Sequence, residues 1–188
     1  ERLVVIASRL GIPKLPEPEE NADHPTVAEA IGQLTPIEAG MSDDKDLLHR
    51  AAGLADINLK RIRSARPGGT WRDWDEELIA DCHRRPEGRG YSSVYGRMSW
   101  DAPSPTITTQ FYGFGNGRFG HPEQDRAISL REGAILQSFP KDYAFVEPGV
   151  PIRFNTVGRM IGNAVPVSLA RAIARALARH LEESINAG

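Results

Sequence analysis

The sequence predicts an α/β chain, more closely a mixed α+β piece: one buried strand, a middle of short helices and loops, and helices at the C-terminal end. Three observations carry this. Leu3-Val4-Val5-Ile6-Ala7-Ser8 is a continuous apolar run, partly β-branched, of the kind buried on both faces of a sheet. Two S/T-x-x-E boxes, Thr26 to Glu29 and Ser129 to Glu132, mark helix starts. Leu169, Ile173, Leu177 and Leu181 recur at helical spacing, with Ala170, Ala174 and Ala178 alongside.

Composition narrows the class. With 188 residues the chain holds one domain or two small ones, and 40% hydrophobic with 26% charged residues is the balance of a soluble globular protein. No apolar run reaches membrane-spanning length, and no signal peptide is visible. The single cysteine excludes an internal disulfide framework and agrees with a cytoplasmic setting; no Cys or His spacing suggests a metal. Net charge is −2, but residues 1–50 carry 5 Lys and Arg against 10 Asp and Glu, while residues 51–188 carry 18 against 15. A mildly basic second part permits a nucleic-acid face without demonstrating one.

Each element then has its own reason. Residues 3–8 form the strand. Gly11 to Pro25 is rich in Pro and Glu and reads as a surface linker. After the Thr26 cap, Val27, Ala30, Ile31 and Leu34 predict a short amphipathic helix. Asp43 to Arg63 is expected to be helical in parts, ended by Pro67-Gly68-Gly69. Trp71 and Trp74 could stack on a base, but two tryptophans this close are more often core anchors. Cys82 and His83 could be nucleophile and base; sequence neighbours rarely face each other in the required way, so Cys82 is read as structural or incidental. Residues 86–96 are a loop with Arg84, Arg85 and Arg89 beside it, and Thr106 to Tyr112 reads as a strand. Gly115, Gly117 and Gly120 spell G-x-G-x-x-G, but Pro122 to Asp125 separate them from the next helix, so a dinucleotide turn is rejected. Ser129 opens a helix that Pro140 stops. Ile161-Gly162-Asn163 is expected to open the last helix through a turn, with Pro166 in the first helical position. Arg171, Arg175 and Arg179 are its solvated face.

Two stretches carry a family resemblance. Leu130-Arg131-Glu132-Gly133-Ala134-Ile135-Leu136-Gln137-Ser138-Phe139-Pro140 is similar to the penultimate motif of the DNA (cytosine-5) methyltransferases, and Gly162-Asn163-Ala164-Val165-Pro166-Val167 to their final one. The order and separation also match. Glu1-Arg2-Leu3-Val4-Val5-Ile6 resembles the second half of an internal motif, and the resemblance puts Arg2 near the target cytosine. It implies a Rossmann-like, S-adenosylmethionine-dependent methyltransferase fold. Residues 1–12 would be a returning strand of the catalytic domain. Residues 13–127 would hold the linker, helices and target-recognition domain, and 128–188 the helices returning to the catalytic domain. Asn163, Ala164 and Val165 would border the S-adenosylmethionine site.

The resemblance also implies the chemistry. A cysteine thiolate adds to C6 of a flipped cytosine, and C5 then takes the methyl group. The family supplies this through a Phe-x-Gly-x-Gly cofactor loop, a Pro-Cys loop and a Glu-Asn-Val motif, none of which is expected here. The expectation is therefore a C-terminal fragment, inactive alone, whose partners are duplex DNA and the missing N-terminal catalytic half. A split-enzyme subunit and a non-catalytic DNA-binding module are the alternatives. Without natural cover, residues 3–8 and the Leu169–Leu181 stripe should promote self-association. DNA contact falls on the recognition region: Thr106-Ile107 matches the family's Thr-Ile feature, and Thr108, Gln110, Arg97, Arg118 and His121 are the polar candidates. Arg126 and Arg131 are expected to pair structurally with nearby acidic residues such as Asp101, Glu123 and Asp125.

Overall fold

A computed structural model describes residues 4–17 and 24–186. The chain divides into two compact units: residues 24–164, and the end segments 1–23 with 165–188.

The larger unit contains α1 (Val27–Ile31), α2 (Asp56–Ser64), α3 (Asp81–Arg84), α4 (Leu130–Leu136) and α5 (Phe154–Asn163). Single 3-10 turns lie at Trp71–Asp73, Glu76–Leu78, Pro86–Gly88 and Phe114–Asn116. Both capping boxes are formed. Thr26 accepts from the Glu29 amide and Ser129 from the Glu132 amide, and each glutamate returns a bond to its cap amide. The first amides of α4 find partners outside the helix: Leu130 N–H donates to Arg50 O at 3.1 Å and Arg131 N–H to Leu48 O at 3.0 Å.

No regular strand occurs among the described residues, only isolated bridges such as Arg97 with Gly120 and Gly120 with Ala127. Two expectations are corrected by this. Residues 4–8 have no ladder partner and Val5 is 80% exposed; Leu3 lies outside the described residues. Residues 106–112 turn rather than extend, with Phe111 N–H donating to Thr108 O and Gly113 N–H to Gln110 O. The β-formers there fit a half-buried surface and not a ladder: Ile107 and Phe111 enter the core. The α/β expectation therefore reduces, in the described residues, to five short helices, one long helix at the C-terminal end and the loops that join them.

Close backbone approach mounts residues 108–112 on α4 and α5. A side chain at Gly133 would collide with the Phe111 ring, and one at Gly162 with the Thr108 carbonyl. Glycine is required at both for contact, not for a special dihedral. Ile161-Gly162-Asn163 ends α5 instead of opening the last helix. The reason is an i, i+4 pair, Val157 and Ile161, which extends the helix back to Phe154 and is fully buried with it.

A polar knot lies under α4. The Arg126 guanidinium grips Glu132 at 2.7 and 2.8 Å, and both residues are essentially buried. Glu132 also accepts from the Ser129 amide at 2.6 Å. His49 Nε2 donates to Thr35 O at 2.8 Å, so its Nδ1 accepts from the Ser129 hydroxyl at 2.8 Å. Arg131 clamps Asp46 at 2.5 and 3.0 Å. Arg126 and Arg131 are structural, as expected, but their partners are Glu132 and Asp46 instead of the acidic residues nearer in sequence.

In the smaller unit α6 spans Val167–Asn186, with Pro166 immediately before its first residue. Leu169, Ile173 and Leu177 are half-buried, while Leu181 is 50% and Ile185 76% exposed. Ser8 Oγ and the His180 ring meet at 2.8 Å.

Candidate functional site

The surface of interest is built on residues 96–128. Gly120 N–H donates to Gly96 O at 2.8 Å, Met98 N–H to Gly120 O at 2.8 Å, and Ile128 N–H to Phe119 O at 2.9 Å. This frame presents four of the expected side chains to solvent: Thr106, Thr108, Gln110 and Arg118. The Gln110 carbonyl is held by Asn116 Nδ2 at 3.2 Å, which fixes the turn beneath its side chain. Arg118 passes over Gly96, where a Cβ would meet its Cγ at 2.6 Å, and its guanidinium has no partner among the described residues.

Three expected contacts are corrected. Arg97 is 4% exposed and its guanidinium is spent inside. It donates to the carbonyls of Ile62, Ala65, His121 and Gln124 and to Asp125 Oδ1, the last at 2.5 Å. Its five N–H groups suit that role because they can satisfy converging loop carbonyls at once. His121 is also buried; its Nδ1 accepts from the amides of Glu123 and Gln124 at 3.2 and 2.9 Å. Burial pushes His121 down to about 4, with Glu132 opposing and Arg126 and Arg97 adding to the fall. It is neutral near pH 7, so its 3.7 Å approach to Glu132 is no ion pair there. Burial acts to raise Glu132, but its bonds to Arg126 hold it below the usual range. Ile107, 3% exposed, is core.

The second cluster sits where α5 ends. Asn163 is exposed, Ala164 half-buried and Val165 exposed. The end of α5 is held by the residue that caps α4: Gln137 Nε2 donates to Ile161 O at 2.9 Å and Ala164 O at 3.2 Å, and the Gln137 side chain is buried. Sequence reasoning passed over Gln137; its place one residue beyond a capped helix was the available signal. Arg2 lies outside the described residues.

Two letter matches lose their chemical meaning. Gly115 lies in a 3-10 turn that Gly117 ends, and the chain then runs to the Gly120 bridges and not into a helix. Phe111-Tyr112-Gly113-Phe114-Gly115 satisfies Phe-x-Gly-x-Gly, contrary to the expectation that no such string occurs. Phe111 and Phe114 are 0% and 2% exposed, so this string is packing and not an open cofactor loop. Cys82 is exposed, whereas the His83 ring stacks on Trp71 at 4.3 Å and is bonded to Gly88 O; the two form no dyad.

The stretch thus presents hydroxyls, an amide and a free guanidinium to solvent over a buried polar frame. The C-5 cytosine-specific DNA methylase family matches residues 1–179, and the chain belongs to that family. It is 54% identical over 183 residues to the Type II methylase M.HgiDII of Herpetosiphon aurantiacus, covering 97% of this chain and 51% of that protein. It is 38% identical over 136 residues to the Type II methyltransferase M.Sau96I of Staphylococcus aureus, covering 71% of this chain and 30% of that one. DNA (cytosine-5)-methyltransferase 3 of Arabidopsis thaliana is 33% identical over 186 residues, which is 86% of this chain and 13% of the plant protein. The chain thus spans about half or less of the length of these relatives.

Proposed function

We propose that this chain supplies the DNA-recognition part and one edge of the cofactor site of a cytoplasmic DNA cytosine-5 methyltransferase. The complete enzyme would move a methyl group from S-adenosylmethionine to C5 of a flipped cytosine in duplex DNA. The observation that carries the reading is the pairing of the two motifs: the α4 segment bonds through Gln137 to the end of α5, and the same helix pair bears the turn that exposes Thr108 and Gln110. Recognition and cofactor edge therefore share one rigid mount.

The roles follow from accessibility. Thr106, Thr108 and Gln110 offer donors and acceptors to base edges, and Arg118 offers a fork to guanine or phosphate. Asn163, with an exposed side chain on a backbone fixed by Gln137, fits a polar contact to S-adenosylmethionine, and Ala164 and Val165 a close apolar one. S-adenosylmethionine would supply the activated methyl group. Arg2 is assigned to the target cytosine. The nucleophile lies outside these 188 residues, since their only cysteine is Cys82, which follows Asp81 and not proline.

The test is transfer of labelled methyl to duplex DNA by this chain alone and by this chain mixed with the N-terminal half of a close relative. Activity only in the mixture is expected. Activity of the chain alone would overturn the assignment and return Cys82 to consideration; no activity in the mixture, with DNA binding intact, would favour a non-catalytic DNA-binding module.

A further inference from the structure

A cavity of about 510 Å³ is lined by Trp71, Arg72, Glu76, His83, Arg84 and Arg89. Three guanidiniums face one carboxylate there. The chain builds this wall with care. Thr70 and Asp73 form a capping box that sets the Trp71 turn. Three side chains from the floor then hold three carbonyls of one loop: His83 Nδ1 donates to Gly88 O at 3.1 Å, Arg72 to Arg89 O at 3.0 Å and Trp71 Nε1 to Tyr91 O at 2.8 Å. Residues 88–91 are therefore held in place by residues that also line the cavity.

The cations differ in what remains to them. Arg84 is committed to the Glu76 backbone carbonyl and carboxylate. Arg72 lies 5.7 Å over the Trp71 ring and spends one N–H on the loop, leaving the others free. Arg89 is exposed and its guanidinium has no partner among the described residues. His83, only 5% exposed, keeps Nε2 without a partner. Two guanidiniums with N–H groups to spare on one cavity wall mark a place where an anion completes the bonding, while His83 Nε2, an acceptor because Nδ1 donates, takes no part in it. The cavity also adjoins the recognition loop: a Cβ on Gly96, which touches Arg118, would meet Gly69 O at 2.9 Å, two residues before Trp71.

We infer that Arg72 and Arg89, on the Trp71–His83 stack, form a second DNA contact that grips the phosphodiester backbone beside the recognition loop. This rests on the reading of the chain as a DNA-recognition part. A phosphate contact positions the duplex without reading its sequence, so its loss has a distinct signature. Each guanidinium lost should weaken binding about tenfold at about 0.1 M salt, equally on any duplex, and lower the slope of log Kd against log salt by about one.

The experiment is anisotropy titration of labelled duplexes of several sequences against the whole chain over a salt series, using R72Q, R89Q, R89K, the double variant R72Q/R89Q, and R118Q for comparison. Uniform weakening with a reduced slope in R72Q and R89Q, and a restored slope in R89K, is expected. Wild-type affinity and slope in R72Q/R89Q, while R118Q weakens binding, would overturn this contact and leave the recognition reading standing. Weak binding in R89K as well as R89Q would assign the loss to loop structure and overturn it too. If the unaltered chain fails to bind any duplex, the recognition reading falls and this inference with it.

Discussion

Replacing Glu132 with glutamine removes one charge and almost no volume from the knot under α4. In the native chain Glu132 accepts two bonds from Arg126 and one from the Ser129 amide, with both side chains buried. The variant leaves Arg126 fully buried with its charge uncompensated. Its other bonds, to Ile37 O at 3.0 Å and Gln124 Oε1 at 2.9 Å, are neutral acceptors. Breaking one side of such a pair costs about 3–5 kcal/mol, a large share of the about 5–15 kcal/mol that holds a domain together. At this size the midpoint of thermal unfolding should fall by about 6–20 °C. The partner variant R126M should cost a similar amount by stranding the carboxylate. The double variant R126M/E132Q should cost less than the sum, because neither charge remains. Urea unfolding followed by tryptophan fluorescence measures all three. A loss below about 1 kcal/mol in E132Q, or strict additivity in the double variant, would refute the claim that this ion pair holds α4 in place.

The same knot makes stability depend on pH. His121 falls from 6.5 to about 4 on folding, so between those values the unfolded chain binds a proton that the folded chain refuses. Stability should therefore drop as pH falls, by about 2 kcal/mol between pH 6.5 and 5, and H121Q should lack that component; equal pH profiles in urea unfolding would contradict it. Arg97→Ala should destabilise the chain by more than about 3 kcal/mol, since four backbone carbonyls and the Asp125 carboxylate lose its buried guanidinium, whereas Arg118→Ala should keep its unfolding midpoint and lose about 1–3 kcal/mol of duplex binding. Calorimetry paired with DNA titration separates the two arginines, and a reversed pattern would exchange their roles. Gly162→Ala should push the Thr108 carbonyl aside, costing about 1–3 kcal/mol and weakening DNA binding together; stability lost with binding unchanged would detach the turn from recognition. Exposed Val5, Ile12 and Ile185 should drive self-association, and light scattering that finds a monomer at all concentrations would count against it.

Local chemistry was legible in the sequence where one short stretch decides the outcome. Thr26 with Glu29 and Ser129 with Glu132 needed only their own spacing, and both boxes form. Trp71 and Trp74, each 6% exposed, are the core anchors their proximity suggested. Residues 106–112 were misread as a strand because β-propensity reports fit to a half-buried surface, and Ile107 and Phe111 meet that condition in the core without any ladder. The start of α5 was missed because its burial is set by Leu130 and Tyr112 from distant stretches, which press on Gly158.

The arginines show most clearly where sequence reasoning stops. Arg97, Arg118, Arg126 and Arg131 have the same charge and reach, and all stand in one stretch of 35 residues. Three of them are interior struts and one is free, a division set by which loop carbonyls and carboxylates converge on each guanidinium. Arg97 is surrounded by the ends of α2 and the 121–125 turn, and Arg126 by Ile37 and Glu132. Arg118 instead crosses Gly96, where only backbone lies beneath it, so its fork reaches solvent. The loops of this stretch close few of their own carbonyls into a ladder. Buried arginines are a physical substitute for that ladder, and this is why three of these four cations are spent inside.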